Sequence, residues 1–364
     1  HQTMHHWEGG ILATTSDYNG LTPAQLGAML DPAVLDMGIT RARLEIRSGV
    51  EGAGTSYDIV NDNNDPNTLN AAGFNWSTFD FEIDTWIVPA RQRAAAKGEP
   101  FYVSLNYVDF GASSFEHYQN PAEYGEFMLA VFQHMQSKYG FVPNGIEVML
   151  EPDQVSGWKD PGTLIRAMVA AANRLQAAGL AVPEFILPSV VNTGNAPRYI
   201  DALQGISGAM ARATEFSYHL YADGTPENIQ AVGALAQQHG KRSSMLEFWG
   251  RTDQHILYRD LTVGRVSAWQ FGIFGDEFGC QFGQTIGLVN GVATICPKAR
   301  AVRQYTKYVR PGAQRIGAAS QNPAFEPVAF VNRDGRYVVV VKAGDGGAFS
   351  IGGLPAGTYG IFYT

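Results

Sequence analysis

The feature that most constrains this chain is a rhythm. Short apolar runs alternate with longer amphipathic stretches over most of its length. The runs are RARLEI (41–46), FYVSLNY (101–107), IEVML (146–150), EFILPSV (184–190), EFSYHLY (215–221), SSMLEFW (243–249) and RVSAWQF (265–271). The opening HHWEGG (5–10) supplies the end of an eighth. Between them lie helical stretches with start and stop signals: 23–38 after Thr22, 121–140 after Asn120, 162–179 and 225–240, each closing on Gly. Strand–helix alternation implies parallel strands joined by crossover helices. Eight such units predict a closed (β/α)8 TIM barrel. An open doubly wound sheet is the alternative. No GxGxxG follows a strand, which weakens its dinucleotide-binding version.

From about residue 312 the rhythm changes. RIGAAS, PVAFVN, RYVVVVKA, GAFSIGG and TYGIFYT read as strands separated by the turn sequences NRDGR, AGDGG and LPAG. The chain therefore reads as α/β, with a barrel over 1–311 and a small antiparallel β-sandwich-like domain over 312–364.

The balance of residues excludes several classes. With 45% hydrophobic and 16% charged residues among 364, a large ordered core is expected. The net charge is −8 and no Lys/Arg cluster is present, so no nucleic-acid partner is expected. No apolar run approaches the ~20 residues of a membrane span. The chain opens on His1 without an initiator Met, as a processed secreted protein or a trimmed chain would. Cys280 and Cys296 are close in sequence, and a disulfide between them suits a secreted protein; the plain alternative is two unpaired buried thiols. A monomer, extracellular or periplasmic, is expected.

In such a barrel the chemistry gathers at the C-terminal ends of the strands. Strand one brings Trp7 and Glu8 there, strand two Arg43, Glu45 and Arg47, strand three Asn106 and Tyr107. Strand four ends in Glu151, with Asp153 just beyond; strand six in His219 and Tyr221; strand seven in Glu247, Phe248 and Trp249; strand eight carries Trp269. Strands four and seven face each other, so the two glutamates can converge. Hydrolysis of a glycoside needs such a pair: one acid protonates the leaving oxygen, the other attacks the anomeric carbon or activates water. A positive neighbour favours a charged nucleophile, and Arg43 is the candidate. Tyr221 can hydrogen-bond the nucleophile and His219 can orient the acid. Trp249 and Trp269 suit stacking on sugar faces, and Trp7, Glu8, Asn106, Tyr107 and Asp153 complete the expected substrate contacts. The competing reading for each is an ion-pair partner or ordinary core.

These motifs resemble the clan A glycoside hydrolases. LEPD holds Glu151 where that clan carries its acid/base, and MLEFWG holds Glu247 where it carries its nucleophile. HLY (219–221) resembles the clan's His-x-Tyr, and Arg43 in RARLEI its strand-two arginine. Within the clan the look is of glycoside hydrolase family 30: QYTKYVRPGAQRIGA (304–318) resembles the segment leading into that family's β-sandwich. The resemblance implies a retaining double displacement on a β-linked polysaccharide or oligosaccharide, with no metal or organic cofactor. Two departures stand out. Leu150 occupies the position where most members have an Asn that meets the sugar 2-hydroxyl. That family's sandwich also takes strands from both termini, whereas here it is expected from the C-terminus alone. The competing functions are an inverting glycosidase, a glycan-binding barrel without turnover, and a copper site at His1 with His5 and His6. The long loops at 50–76 and 272–297 are expected to wall the site.

Overall fold

The computed structural model describes residues 1–11, 21–47, 63–110, 117–275, 279–281, 283–344 and 347–363. Eight strands close a barrel in sequence order: β1 (His6–Ile11), β2 (Arg41–Arg47), β3 (Tyr102–Val108), β4 (Gly145–Glu147), β5 (Glu184–Asn192), β6 (Ala213–Ala222), β7 (Arg242–Glu247) and β8 (Ala268–Ile273). Every neighbouring pair, including β1 with β8, is parallel. The expected TIM barrel is therefore the fold.

The sequence shows why these segments take these forms. Thr22 and Gln25 cap the helix Pro23–Leu30 reciprocally. Asn120 accepts from Ala122 N–H at the start of Pro121–Tyr139, and Gly140 ends that helix at φ 73°, the left-handed stop that Gly adopts without penalty. Asp160 and Thr225 cap Pro161–Ala177 and Pro226–Gln238 in the same manner. Along β2, Ala42, Leu44 and Ile46 join the hydrophobic core, while Arg41 and Arg43 reach acids on β1, β4, β6 and β7 across the lumen. One strand thus serves two environments by simple alternation.

The interior of the barrel is accordingly ionic. Its lower floor joins Glu8, Arg41, Glu215, Arg242 and Glu184. Arg41 lies 2.9 Å from Glu215. The guanidinia of Arg41 and Arg242 hold Glu215 down at about 2 against the opposing effect of burial, which is the largest single influence. The upper floor holds Arg43, Glu147, His219 and Glu247.

After β8 a hairpin, β9 (Ile286–Val289) and β10 (Val292–Ile295), turns through Asn290 and Gly291, both with positive φ. The C-terminal part is a three-stranded antiparallel sheet of β11 (Gln314–Ile316), β12 (Phe325–Val331) and β13 (Tyr337–Ala343). Two expectations are corrected here. GAFSIGG and TYGIFYT do not form strands, and the described residues from 347 onward carry no regular structure. Gly352, Gly353, Pro355 and Gly357 interrupt that stretch, and Ile361 and Tyr363 are 88% and 91% exposed. The sheet is also not built from the C-terminus alone. Thr3 bridges Gln314, and Arg315 N–H donates to Gln2 O at 2.9 Å.

Candidate active site

Beyond Glu147 the chain continues in extended contact with its neighbours. Val148 N–H donates to Ile186 O at 3.1 Å and Leu150 N–H to Tyr107 O at 2.8 Å. The strand then breaks at Glu151, whose φ is 50°. Its N–H donates to the carbonyl of Ser189, itself at φ 52°, at 3.1 Å. A side chain in this left-handed region costs on the order of 1–2 kcal/mol and persists only where the surroundings enforce it. Glu151 Oε1 lies 2.9 Å from His219 Nδ1, and His219 Nε2 faces Glu147 Oε1 at 3.7 Å. Burial is the largest influence on this imidazole and opposes its charge. The Glu147 and Glu151 carboxylates, with the charge of Glu247, overcome it and raise His219 to about 9.

Glu247 closes β7 under three restraints. Arg43 Nη2 donates to its Oε2, Tyr221 O–H donates to its Oε1 at 2.9 Å, and Trp249 N–H donates to the Tyr221 oxygen at 3.1 Å. Arg43 also donates to Leu246 O at 3.4 Å and stands 3.8 Å from Glu147. Burial works against the charge of Arg43, but Glu247 and Glu147, followed by Glu8 and Glu45, hold it well above the ordinary arginine range. The Tyr221 hydroxyl is pushed well up by burial and then by the charge of Glu247, so it stays a donor.

One oxygen of Glu151, one of Glu247 and a ring nitrogen of His219 all lie within 4.8 Å of one another. Both carboxylates retain some exposure, 14% and 11% of their side chains, so the pair sits at the mouth of the barrel. A carboxylate already held by a guanidinium, beside an imidazole whose nitrogens both face acids, is a poor cradle for a cation. The arrangement suits proton transfer and nucleophilic attack.

The structure thus assembles Glu151, Glu247, Arg43, Tyr221 and His219. It places Trp249, half-buried, beside them through its backbone. Several expected substrate contacts do not reach the mouth. Trp7 and Trp269 are cross-strand partners, and both turn outward to the helices. The Trp7 indole donates to Val309 O and that of Trp269 to Asp260, 2.9 Å away. Alternation along β1 and β8 turns them away from the lumen in which their neighbours Glu8 and Gln270 meet, so reading them as substrate contacts misjudged their facing. Tyr107 is fully buried against His117, 2.8 Å from its hydroxyl. Glu8 is buried in the lower ionic floor with Arg41 and Gln270. Asn106 is buried between Glu45 and Glu147 in the strand register. Asp153 fastens the β5 loop, accepting from Val191 and Asn192 N–H at 2.9 and 3.0 Å. Glu45 and Arg47 pair with each other at 3.0 Å. Glu147 was missed; its signal was an acid inside an otherwise apolar strand.

Cys280 and Cys296 form a disulfide. Lys298, at the start of the helix that follows, donates to Gly250 O at 3.0 Å, tying this segment to the loop beyond Glu247. Residues 50–62 of the other expected wall lie outside the described residues.

The closed parallel barrel, the facing glutamates at the ends of strands four and seven and the C-terminal antiparallel sheet are similar to the architecture of the clan A glycoside hydrolases that the sequence motifs resemble. Within that class the likeness is to family 30. Residues 312–348 match the glycosyl hydrolase family 30 beta sandwich domain. The fold is similar to the catalytic domain of a family 30 xylanase C from Talaromyces cellulolyticus, at 14% identity, TM-score 0.70, covering 93% of this chain and 84% of that one. It is equally similar to SrfJ from Salmonella typhimurium, at 16% identity, TM-score 0.70, covering 93% and 82%.

Proposed function

We propose that this protein is a secreted, retaining glycoside hydrolase acting on a β-linked polysaccharide or oligosaccharide. The observation that carries the mechanism is the close approach of the two carboxylates, one oxygen of each lying within 4.8 Å of the other. A direct displacement by water needs carboxyl groups about 6.5–9.5 Å apart, whereas a covalent route places them about 5–5.5 Å apart. Glu247 attacks the anomeric carbon while Glu151 protonates the departing glycosidic oxygen, and a glycosyl ester forms on Glu247. Glu151, now a carboxylate, takes a proton from water. The water oxygen displaces Glu247 and the sugar leaves with its original configuration. Arg43 and Tyr221 hold Glu247 in line. The disulfide favours an oxidising compartment.

The test is reducing-sugar release from xylans, galactans, glucans, mannans and chitosan-type polymers by wild type, Glu151→Gln and Glu247→Gln. Proton NMR of the first-formed product reads its anomeric configuration. Release with retained configuration, lost in both variants, is the expected result. An inverted product would overturn the double displacement. Binding without release by folded wild type would favour a glycan-binding barrel.

A further inference from the structure

Glu147 takes no part in the chemistry above, yet it touches both of its supports. It is fully buried. Its Oε1 lies 3.8 Å from Arg43 Nη1 and 3.7 Å from His219 Nε2. Arg43 holds Glu247 and His219 meets Glu151 at 2.9 Å, so one carboxylate stands beneath both arms of the site. A buried charge is costly unless neutralised, and Arg43 and His219 supply the neutralising charge.

The position matters because a neutral imidazole carries only one proton. If that proton sat on Nε2, Nδ1 would turn a lone pair toward Glu151, and the contact would become repulsive whenever Glu151 is a carboxylate. A carboxylate at Nε2 retains a second proton there while Nδ1–H remains on Glu151. We propose that Glu147 is a positioning residue that keeps His219 doubly protonated, so that Nδ1–H is held on Glu151 through both halves of the catalytic cycle. This rests on the acid/base role of Glu151 given above.

Other groups facing this ring fit the assignment. β4 and its extension present Glu147 and Glu151, and β7 presents Glu247. β6 presents Tyr221, 6.3 Å away ring to ring and held as a neutral hydroxyl. β2 presents Arg43, which reaches the ring only through the acids it pairs with. β5 contributes the uncharged Ser189, bonded to Ser217 at 2.7 Å. Among the described residues the one basic neighbour is already engaged, and the acids outnumber it.

The experiment is nitrogen-15 NMR of the histidine side chains, with His219→Asn used for assignment. Wild type at pH 7 is expected to show His219 with both nitrogens protonated; a neutral ring there overturns the proposal without any variant being needed. In folded Glu147→Gln, the His219 pKa is expected to fall by about 1–3 units, and an unchanged titration also overturns it. The loss of kcat/KM should be no greater when Glu147→Gln is added to His219→Gln, and Glu147→Asp should restore part of the His219 pKa shift. The titration needs no substrate, so it stands even if the glycosidase reading fails on every polymer.

Discussion

Replacing Arg43 with leucine removes the cation on which the upper floor depends. The guanidinium is fully buried and serves Glu247, Glu147 and the Leu246 carbonyl together. Removing one partner from a buried ion pair costs about 3–5 kcal/mol. Here two carboxylates lose their partner, and only Glu147 retains another cation, His219 at 3.7 Å. The loss should therefore lie at the upper end of that range near pH 8. Its pH dependence is the sharper test. In the wild type, burial is the strongest influence on Glu147 and would raise it, but Arg43, followed by His219, holds it below its ordinary value. Such a group stabilises the fold above the ordinary glutamate range and loses that contribution as pH falls through its depressed folded value. In Arg43→Leu burial prevails, and the folded value rises above the unfolded one of about 4.3. The native state then binds more protons than the unfolded chain, so stability falls as pH rises. Urea unfolding at pH 5, 6.5 and 8 should show the variant's deficit shrinking toward pH 5, by up to about 1.4 kcal/mol per unit for each carboxyl group that protonates. Equal deficits at all three values would refute the reasoning. So would a deficit within about 0.5 kcal/mol, the level of a surface substitution.

Three further outcomes follow from named contacts. Tyr221→Phe removes the 2.9 Å bond to Glu247; kcat/KM should fall about ten- to hundredfold with the thermal unfolding curve little moved, as for one hydrogen bond to a charged group. Trp269→Phe takes the indole donor from Asp260, which burial has already raised to about 6 and which keeps Arg259 at 3.3 Å. Unfolding stability should drop by about 1–3 kcal/mol with KM unchanged, and a raised KM would return the ring to the substrate. Cys280→Ser with Cys296→Ser opens a loop of 16 residues' separation; denaturant stability should fall by up to about 3 kcal/mol, and an unchanged midpoint would show that the bond constrains nothing.

The barrel was legible because its strands are short apolar runs whose neighbours are capped, amphipathic helices, and both signals are local. The catalytic pair was legible for a related reason: Glu151 and Glu247 each terminate such a run, and the order of strands lets the ends of four and seven meet across the mouth. Which side of a strand faces the lumen was not legible. Trp7 and Trp269 suit sugar platforms by residue type, but both turn toward the helices, and an apolar run does not itself encode which alternate set points inward. Facing was misread at Tyr107, whose hydroxyl meets His117 rather than the mouth. GAFSIGG and TYGIFYT failed differently. Their apolar alternation is a property of the segment, while pairing is a property of an edge that must receive it. Glu147 escaped notice because a lone acid inside an apolar strand declares a partner without naming it.

The ionic lumen also bears on how such a protein can change over generations. A core of aliphatic side chains tolerates drift so long as total volume is kept. The interior of this barrel obeys a conservation of charge: Arg41 answers Glu8 and Glu215, while Arg43 answers Glu147 and Glu247. Loss of either arginine takes the nearest cation from buried carboxylates on other strands, so viable routes past these two positions pass through paired replacements on strands far apart in the chain. The inner wall is then a set of interlocked positions, while the helix-facing wall behind it remains free to vary one residue at a time.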